Sequence, residues 1–337
     1  MGKMSRREFA GGAVALFARQ EPKRAIHEIE TVTGPVAVDR LGVTLMHEHV
    51  LVDFIGADGI TTDRYDREEV RRVALPHLRR VVALGCRTLV DCTPAYLGRD
   101  PLLLRQLSEM SGLRIITNTG YYAANGGKHV PAHAYGRSAA DLAQLWVDES
   151  VRGIEGTGIK PGLVKIGVER APLPEISRKL ARAAAITHRE TGLAIASHTT
   201  GGLAALEQLA ILGEEGVSPA AFVWVHAQSE SDQDTLLQVA ERGAWMEFDG
   251  IASSTLGQHA ALVKLMIERG HIDRTLISMD AGWYHVGEPG GGTYRGYESL
   301  FSEFLPLLRL GGITDRQIRI LLEDNPRHVL EPAQRPL

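Results

Sequence analysis

The sequence predicts an α/β fold, a single (β/α)8 TIM barrel with an N-terminal β-hairpin and an extra C-terminal helix. Two observations carry that reading. From residue 43 onward short β-branched runs alternate with amphipathic stretches of ten to twenty residues, the pattern of strands joined by crossover helices in a parallel sheet. Eight such strand and helix pairs follow one another without a Pro/Ser-rich linker or charge run between them, and eight is the number that closes a barrel. A doubly wound open sheet would need a glycine-rich phosphate loop after its first strand, and none stands there.

The segment from Glu28 to Val38 reads as the hairpin that caps the barrel floor. The strands that follow are predicted at Val43–Met46, Thr88–Asp91, Arg114–Asn118, Leu163–Gly167, Ala194–Ser197, Phe222–Val225, Ala244–Phe248 and Thr275–Met279. Helical periodicity marks Arg67–Leu84, Asp100–Met110, Ala139–Ile154, Ile176–Thr191, Leu203–Leu212, Ser231–Arg242, Gly257–Arg269 and Tyr297–Leu310. Gly85, Gly112, Gly192, Gly243 and Gly270 each stand between a helix and the next strand, where a left-handed cap is expected. Thr314–Glu323 reads as the final helix, and the loop from Ala281 to Gly296, with Trp283, Tyr284, His285, three consecutive glycines and Arg295, as a long flexible cover for the pocket.

Ahead of the barrel, Ser5-Arg6-Arg7-Glu8-Phe9 precedes a short apolar run from Ala10 to Ala18. The pattern resembles a twin-arginine export signal. Residues 1–25 are therefore expected to be a targeting segment or disordered tail, with the catalytic domain over 26–337 and the protein exported to the periplasm; a cytoplasmic protein with an N-terminal tail is the alternative.

Composition narrows the function classes. The 337 residues are 44% hydrophobic and 23% charged, with a formal net charge of -4. Lys+Arg at 37 against Asp+Glu at 41, with no basic run after residue 25, offers no footprint for a nucleic-acid backbone. No stretch reaches the length of a membrane span. Two cysteines, Cys86 and Cys92, cannot staple a secreted scaffold. What stands out is 13 histidines in a nearly neutral chain, since histidine is the commonest metal ligand.

Their placement is informative. The first strand runs into His47-Glu48-His49, and strand alternation sends the two imidazoles to the same side. The fourth strand carries Lys165 between apolar neighbours, the fifth leads to His198, the sixth to His226 and the eighth to Asp280. Singly, each has an ordinary explanation: a lysine that snorkels, a satisfied core histidine, an aspartate that caps a helix. Jointly they put polar groups at the C-terminal ends of five of eight strands, the face where such barrels keep their active sites. Six potential ligands exceed one four-coordinate zinc, which implies two metals. A lysine becomes a ligand once carbon dioxide converts its amine to a carbamate.

In that order and on those strands, His47, His49, Lys165, His198, His226 and Asp280 resemble the binuclear centre of the phosphotriesterase family within the amidohydrolase superfamily. The flanking runs agree, with Leu41-Gly42-Val43-Thr44-Leu45-Met46 before the pair and Asp324-Asn325-Pro326 near the end, so that the resemblance covers roughly residues 28–330. It implies two divalent cations, with zinc as the expected metal. His47, His49 and Asp280 would hold the buried one, His198 and His226 the exposed one, with carboxylated Lys165 and a hydroxide bridging them. It further implies hydrolysis without a covalent enzyme intermediate, with Asp280 accepting the proton, and a homodimer.

The loops bear on the substrate. Tyr122, after the third strand, resembles the metal-facing tyrosine of the lactonase branch, although a packed rim tyrosine would read the same way. Gly250 follows Asp249 where acyl-homoserine lactonases carry an arginine, and Ser229 stands three residues after His226 where phosphotriesterases carry a relay carboxylate. A lactone or carboxylic ester is thus the expected substrate, and an organophosphate triester the alternative. Tyr122, Trp283 and Arg295 are the candidate substrate-binding residues.

Overall fold

The computed structural model describes residues 28–333; the expected export segment lies outside them. An antiparallel hairpin, β1 (Glu28–Thr31) and β2 (Gly34–Ala37), comes first. The barrel follows as β3 (Thr44–Val52), β4 (Thr88–Asp91), β5 (Arg114–Ile116) with its continuation β6 (Asn118–Thr119), β7 (Leu163–Val168), β8 (Ile195–Thr199), β9 (Phe222–Val225), β10 (Trp245–Phe248) and β11 (Thr275–Ile277). The neighbouring barrel strands pair in parallel, in chain order. Closure comes at the other edge, where the Asp280 amide donates to the His47 carbonyl at 3.0 Å and the His47 amide to Ser278 Oγ at 3.0 Å.

Side chains fill the barrel in layers. Met46, Val90, Ile116, Leu163, Ala196, Val225 and Trp245 form part of one apolar cluster, which makes the interior a packed core rather than a channel. Ile29 of β1 and Val38 and Leu41 just after β2 join that cluster from below, with Val329 and Leu330 of the last helix, so the hairpin closes the floor. A second cluster lies between strands and surrounding helices, with Leu78, Leu107, Leu180, Ala184 and Leu236 fully shielded. The five helix-ending glycines all have positive φ, from 75° at Gly112 to 105° at Gly85.

Three departures from the sequence expectation have a visible physical cause. The first barrel strand extends to Val52, well past Met46, because a strand not foreseen, β12 (Gly282–His285), pairs with it: Gly282 lies opposite His49 and Tyr284 opposite Leu51. The expected flexible cover is therefore pinned to the barrel through its first residues. The eighth helix starts at Leu300 as a π-helical turn to Phe304 before α geometry from Leu305 to Leu310, which absorbs Pro306, a residue without an amide hydrogen. The last helical stretch runs from Asp315 to Leu330, again through a π turn at Ile320–Asp324, and is opened by a capping box between Thr314 and Gln317.

Candidate metal centre

The mouth of the barrel is built from strand ends. His47 and His49 lie within β3, and their Nε2 atoms approach to 3.3 Å. Asp280 Oδ1 lies 3.1 Å from His49 Nε2 and 3.7 Å from His47 Nε2, is buried and has no hydrogen-bond partner. Two ligand atoms on a tetrahedral zinc with bonds of roughly 2.0–2.1 Å are separated by about 3.3 Å, so these three residues are spaced to hold a cation. Asp280 takes φ 50°, a left-handed turn that is costly for a non-glycine residue and typical of functional positions.

Around that trio, Lys165 is 2% exposed and stands one position from the register partner of Ser197, with His198 opposite Gly167 on the same strand pair. The His198 and His226 rings lie 4.5 Å apart, and those of His226 and His47 5.1 Å. His226 has φ 65°. The sequence-predicted ligand residues thus face one mouth.

Asp249 holds this arrangement from beneath. Its Oδ1 accepts from His226 Nδ1 at 2.6 Å and from Gln228 Nε2 at 2.7 Å, and its Oδ2 accepts from the His226 amide at 3.0 Å. His47 Nδ1 sits 3.0 Å from Oδ2, at ion-pair distance though off the line of a hydrogen bond. Burial alone would raise the Asp249 carboxyl, but the charges of His226 and His47 and the hydrogen bond from His226 outweigh it and hold the group well below the usual range. Asp249, His47 and His226 could themselves gather a cation. With both Nδ1 atoms turned to the carboxylate, however, each histidine keeps Nε2 for a metal, the arrangement by which outer carboxylates orient histidine ligands. His49 is oriented similarly by Thr93 Oγ1, 2.7 Å from its Nδ1. Burial brings the His49 imidazole down to about 4 and depresses His198 strongly, keeping both neutral as ligation requires.

Two more buried acids were not singled out by sequence. Glu48 points away from its flanking histidines and accepts from Ser278 Oγ at 2.8 Å, the Met279 amide at 3.0 Å and the Ala281 amide at 2.7 Å, clamping the backbone on both sides of Asp280. Burial pushes its carboxyl up to about 8. Glu247 lies under the site with Oε2 3.6 Å from His47 Nδ1 and Oε1 without a partner. Strand alternation put Glu247 and Asp249 on the inner side, the one signal that could have flagged them.

The three candidate substrate residues have different surroundings. Tyr122 packs on Gly167, where an added Cβ would collide with its ring, and lies 5.0 Å from the His198 ring. Trp283, at φ 75°, donates from Nε1 to the Asp280 carbonyl at 2.7 Å. Its ring is 4.5 Å from His49 and stacks with Phe54 and His285 at 5.8 and 6.0 Å. Arg295 turns its guanidinium onto the carbonyls of Met279 and Asp280, so it ties the loop to the strand end. His129, with a buried Nε2 lacking a partner, lies between Phe54 and Tyr122.

Barrel and mouth together define a class, a (β/α)8 protein with a histidine- and aspartate-rich cluster suited to metal at the C-terminal ends of its strands. Comparison with known proteins narrows it. The sequence model of the Phosphotriesterase family matches residues 27–330, and the chain belongs to that family. It is 29% identical to the Phosphotriesterase homology protein of Escherichia coli K12, over 86% of this chain and 98% of that protein. It is 27% identical to the Aryldialkylphosphatase of Saccharolobus solfataricus, over 85% and 94%. A double mutant of the organophosphorus hydrolase from Deinococcus radiodurans superposes with a TM-score of 0.82 at 29% identity, over 92% of this chain and 98% of that one.

Proposed function

We propose that this protein is a binuclear metal-dependent hydrolase that cleaves a lactone or carboxylic ester. The observation that carries the reading is the convergence of His47 Nε2, His49 Nε2 and the unpartnered Asp280 Oδ1 at ligand spacing. In this reading His47, His49 and Asp280 would hold one divalent cation and His198 and His226 a second, both zinc, with Lys165 supplying a further ligand as a carbamate. When bound, the cations supply an activated water and polarise the substrate oxygen. The chain's own residues do the rest. Asp280, held below the usual carboxylate range by His49 and His47 despite burial, takes up the proton at a carboxylate oxygen. Glu48 and Asp249 keep the ligands in place through the hydrogen bonds described above, and Trp283 with Phe54 shields one side of the mouth from water. Tyr122 orients the acyl portion near His198.

A second reading, an organophosphate triesterase, is favoured by the name of the Saccharolobus relative and opposed by Ser229 at the expected relay position. Protein loaded with zinc in bicarbonate and screened against lactones, aryl carboxylic esters and aryl dialkyl phosphates separates the two. We expect two metal equivalents and turnover of lactones or esters above triesters; triester turnover alone makes the second reading correct, and less than one equivalent of metal refutes both. Export and a homodimeric state belong to the same proposal, checked by cell fractionation and by sizing in solution; no helix among the described residues is long and apolar enough to cross a membrane.

A further inference from the structure

A cavity of about 790 Å³ opens beside the candidate metal centre, and its lining includes His198, Tyr122, Asn125, Gly126, Glu169 and Arg170. Its size is that of a small-molecule site. Part of the lining is held in an unusual backbone conformation: Asn125, Gly126 and Gly127 have φ of 64°, 67° and 71°. The Gly127 amide donates to the Ala123 carbonyl at 3.0 Å and the Gly126 amide to Glu169 Oε1 at 2.5 Å. Glu169 is thus committed to the wall. Arg170, the cationic side chain of the lining apart from His198, makes no hydrogen bond or ion pair with any described residue. Arg295, one of the candidate substrate-binding residues, is spent on backbone carbonyls.

We propose that this cavity is the acyl-side pocket and that Arg170 binds a carboxylate or sulfonate carried by the substrate, making the preferred substrate an ester or lactone with a remote negative charge. The proposal rests on the hydrolase reading above. His198 lies opposite Gly167, and Arg170 is three residues beyond that glycine, just past the end of β7, at most roughly 10 Å along the chain. The long arginine side chain shortens that span, so the anion would be separated from the reacting carbonyl by a few carbon atoms. A guanidinium with unused donors matches the planar, bidentate geometry of a carboxylate and the oxygens of a sulfonate. Tyr122, which lines the same cavity beside His198, would contact the spacer.

The test uses the zinc-loaded full-length protein and a matched pair of substrates, 4-nitrophenyl hydrogen glutarate and its methyl ester, which differ in charge but hardly in length. Wild type is expected to favour the anionic ester by about tenfold in kcat/KM, the preference shrinking with added salt. Arg170→Met should erase the preference through a higher KM for the anionic ester and leave the neutral ester unchanged, while Arg170→Lys retains part of it. Glutarate binding by calorimetry should weaken about tenfold in Arg170→Met. Turnover of both esters without a charge preference, or equal losses on both in Arg170→Met, overturns the anion pocket and leaves the hydrolase reading standing. Absent turnover with glutarate binding that still depends on Arg170 overturns the hydrolase reading and supports the pocket. Neither turnover nor binding overturns both.

Discussion

Replacing Asp249 by asparagine tests whether the outer carboxylate organises the metal centre. Asp249 is fully buried, and each of its oxygens has its own donors: His226 Nδ1 and Gln228 Nε2 on Oδ1, the His226 amide on Oδ2 with His47 Nδ1 beside it. Asparagine has the same shape but one acceptor oxygen. Whichever way its amide turns, at least one buried donor faces an NH2 group, and the charge that both histidines see is lost. An orphaned buried donor costs about 1–3 kcal/mol, and loss of a charged acceptor adds to this, so the metal-free variant should be less stable by about 2–4 kcal/mol. The same bonds fix which imidazole nitrogen is left for metal, and removal of such a partner typically lowers metal affinity about 10- to 100-fold. Urea unfolding of chelator-treated protein reads the first effect as a lower midpoint at unchanged slope. Competition with a chromophoric chelator reads the second. A variant with wild-type midpoint and metal affinity within threefold would refute the reasoning and return Asp249 to the role of a spectator.

Lys165→Ala is expected to fold but to lose metal and activity together, as metal analysis would show, with partial recovery in acetate or formate; full metal retention would sink the carbamate reading. Gly282→Ala should abolish folding, because φ 98° and a collision with the His49 carbonyl oxygen are both imposed on the new Cβ. Gly287→Ala, at φ 93° with open space around it, should cost only about 1–2 kcal/mol, and similar yields of the two variants would disprove the pairing of β12 with β3. One contribution to the pH dependence of the metal-free protein comes from His49, held near 4 by burial against an ordinary value of 6.5, while His47, raised above its ordinary value, acts in the opposite direction. Between pH 6.5 and 4 the unfolded chain takes up a proton that the folded one refuses, so this contribution is present above 6.5 and lost as pH falls, at about 1.4 kcal/mol per unit and about 3 kcal/mol in all. Depressed His198 acts in the same direction. Unfolding midpoints at pH 7 and 4.5 should differ less in His49→Asn than in wild type; equal differences would contradict the assignment.

What sequence could read, and what it could not, divides by the range of the interactions involved. β4 and β9 fall at the predicted residues, Thr88–Asp91 and Phe222–Val225, since their signal is a local β-branched run bounded by helical patterns. The candidate ligands were legible for a similar reason, because alternation along a strand and position at its C-terminal end are local properties. The true extent of β3 was not, because residues beyond Met46 are held as strand by partners more than 200 positions away, Gly282 opposite His49 and Tyr284 opposite Leu51. Glu48 suffers the same blindness: in sequence it is a spacer between two histidines, yet its carboxylate fixes Ser278, Met279 and Ala281 around Asp280. Arg295 was legible as a cation but not as one already engaged, whereas Arg170, unremarkable in sequence, is left uncommitted beside the metal mouth. The chemistry of the centre therefore follows from residue type and strand position. In the proposed reading its precision comes from long-range hydrogen bonds to Glu48 and Asp249, and its selectivity from the cation the fold leaves unpaired beside it. If that division holds, substitutions at Glu48 should loosen metal binding without changing substrate preference, and those at Arg170 should do the reverse. Metal affinity and the ratio of anionic to neutral ester turnover, measured on both variants, would expose any mixing of the two roles.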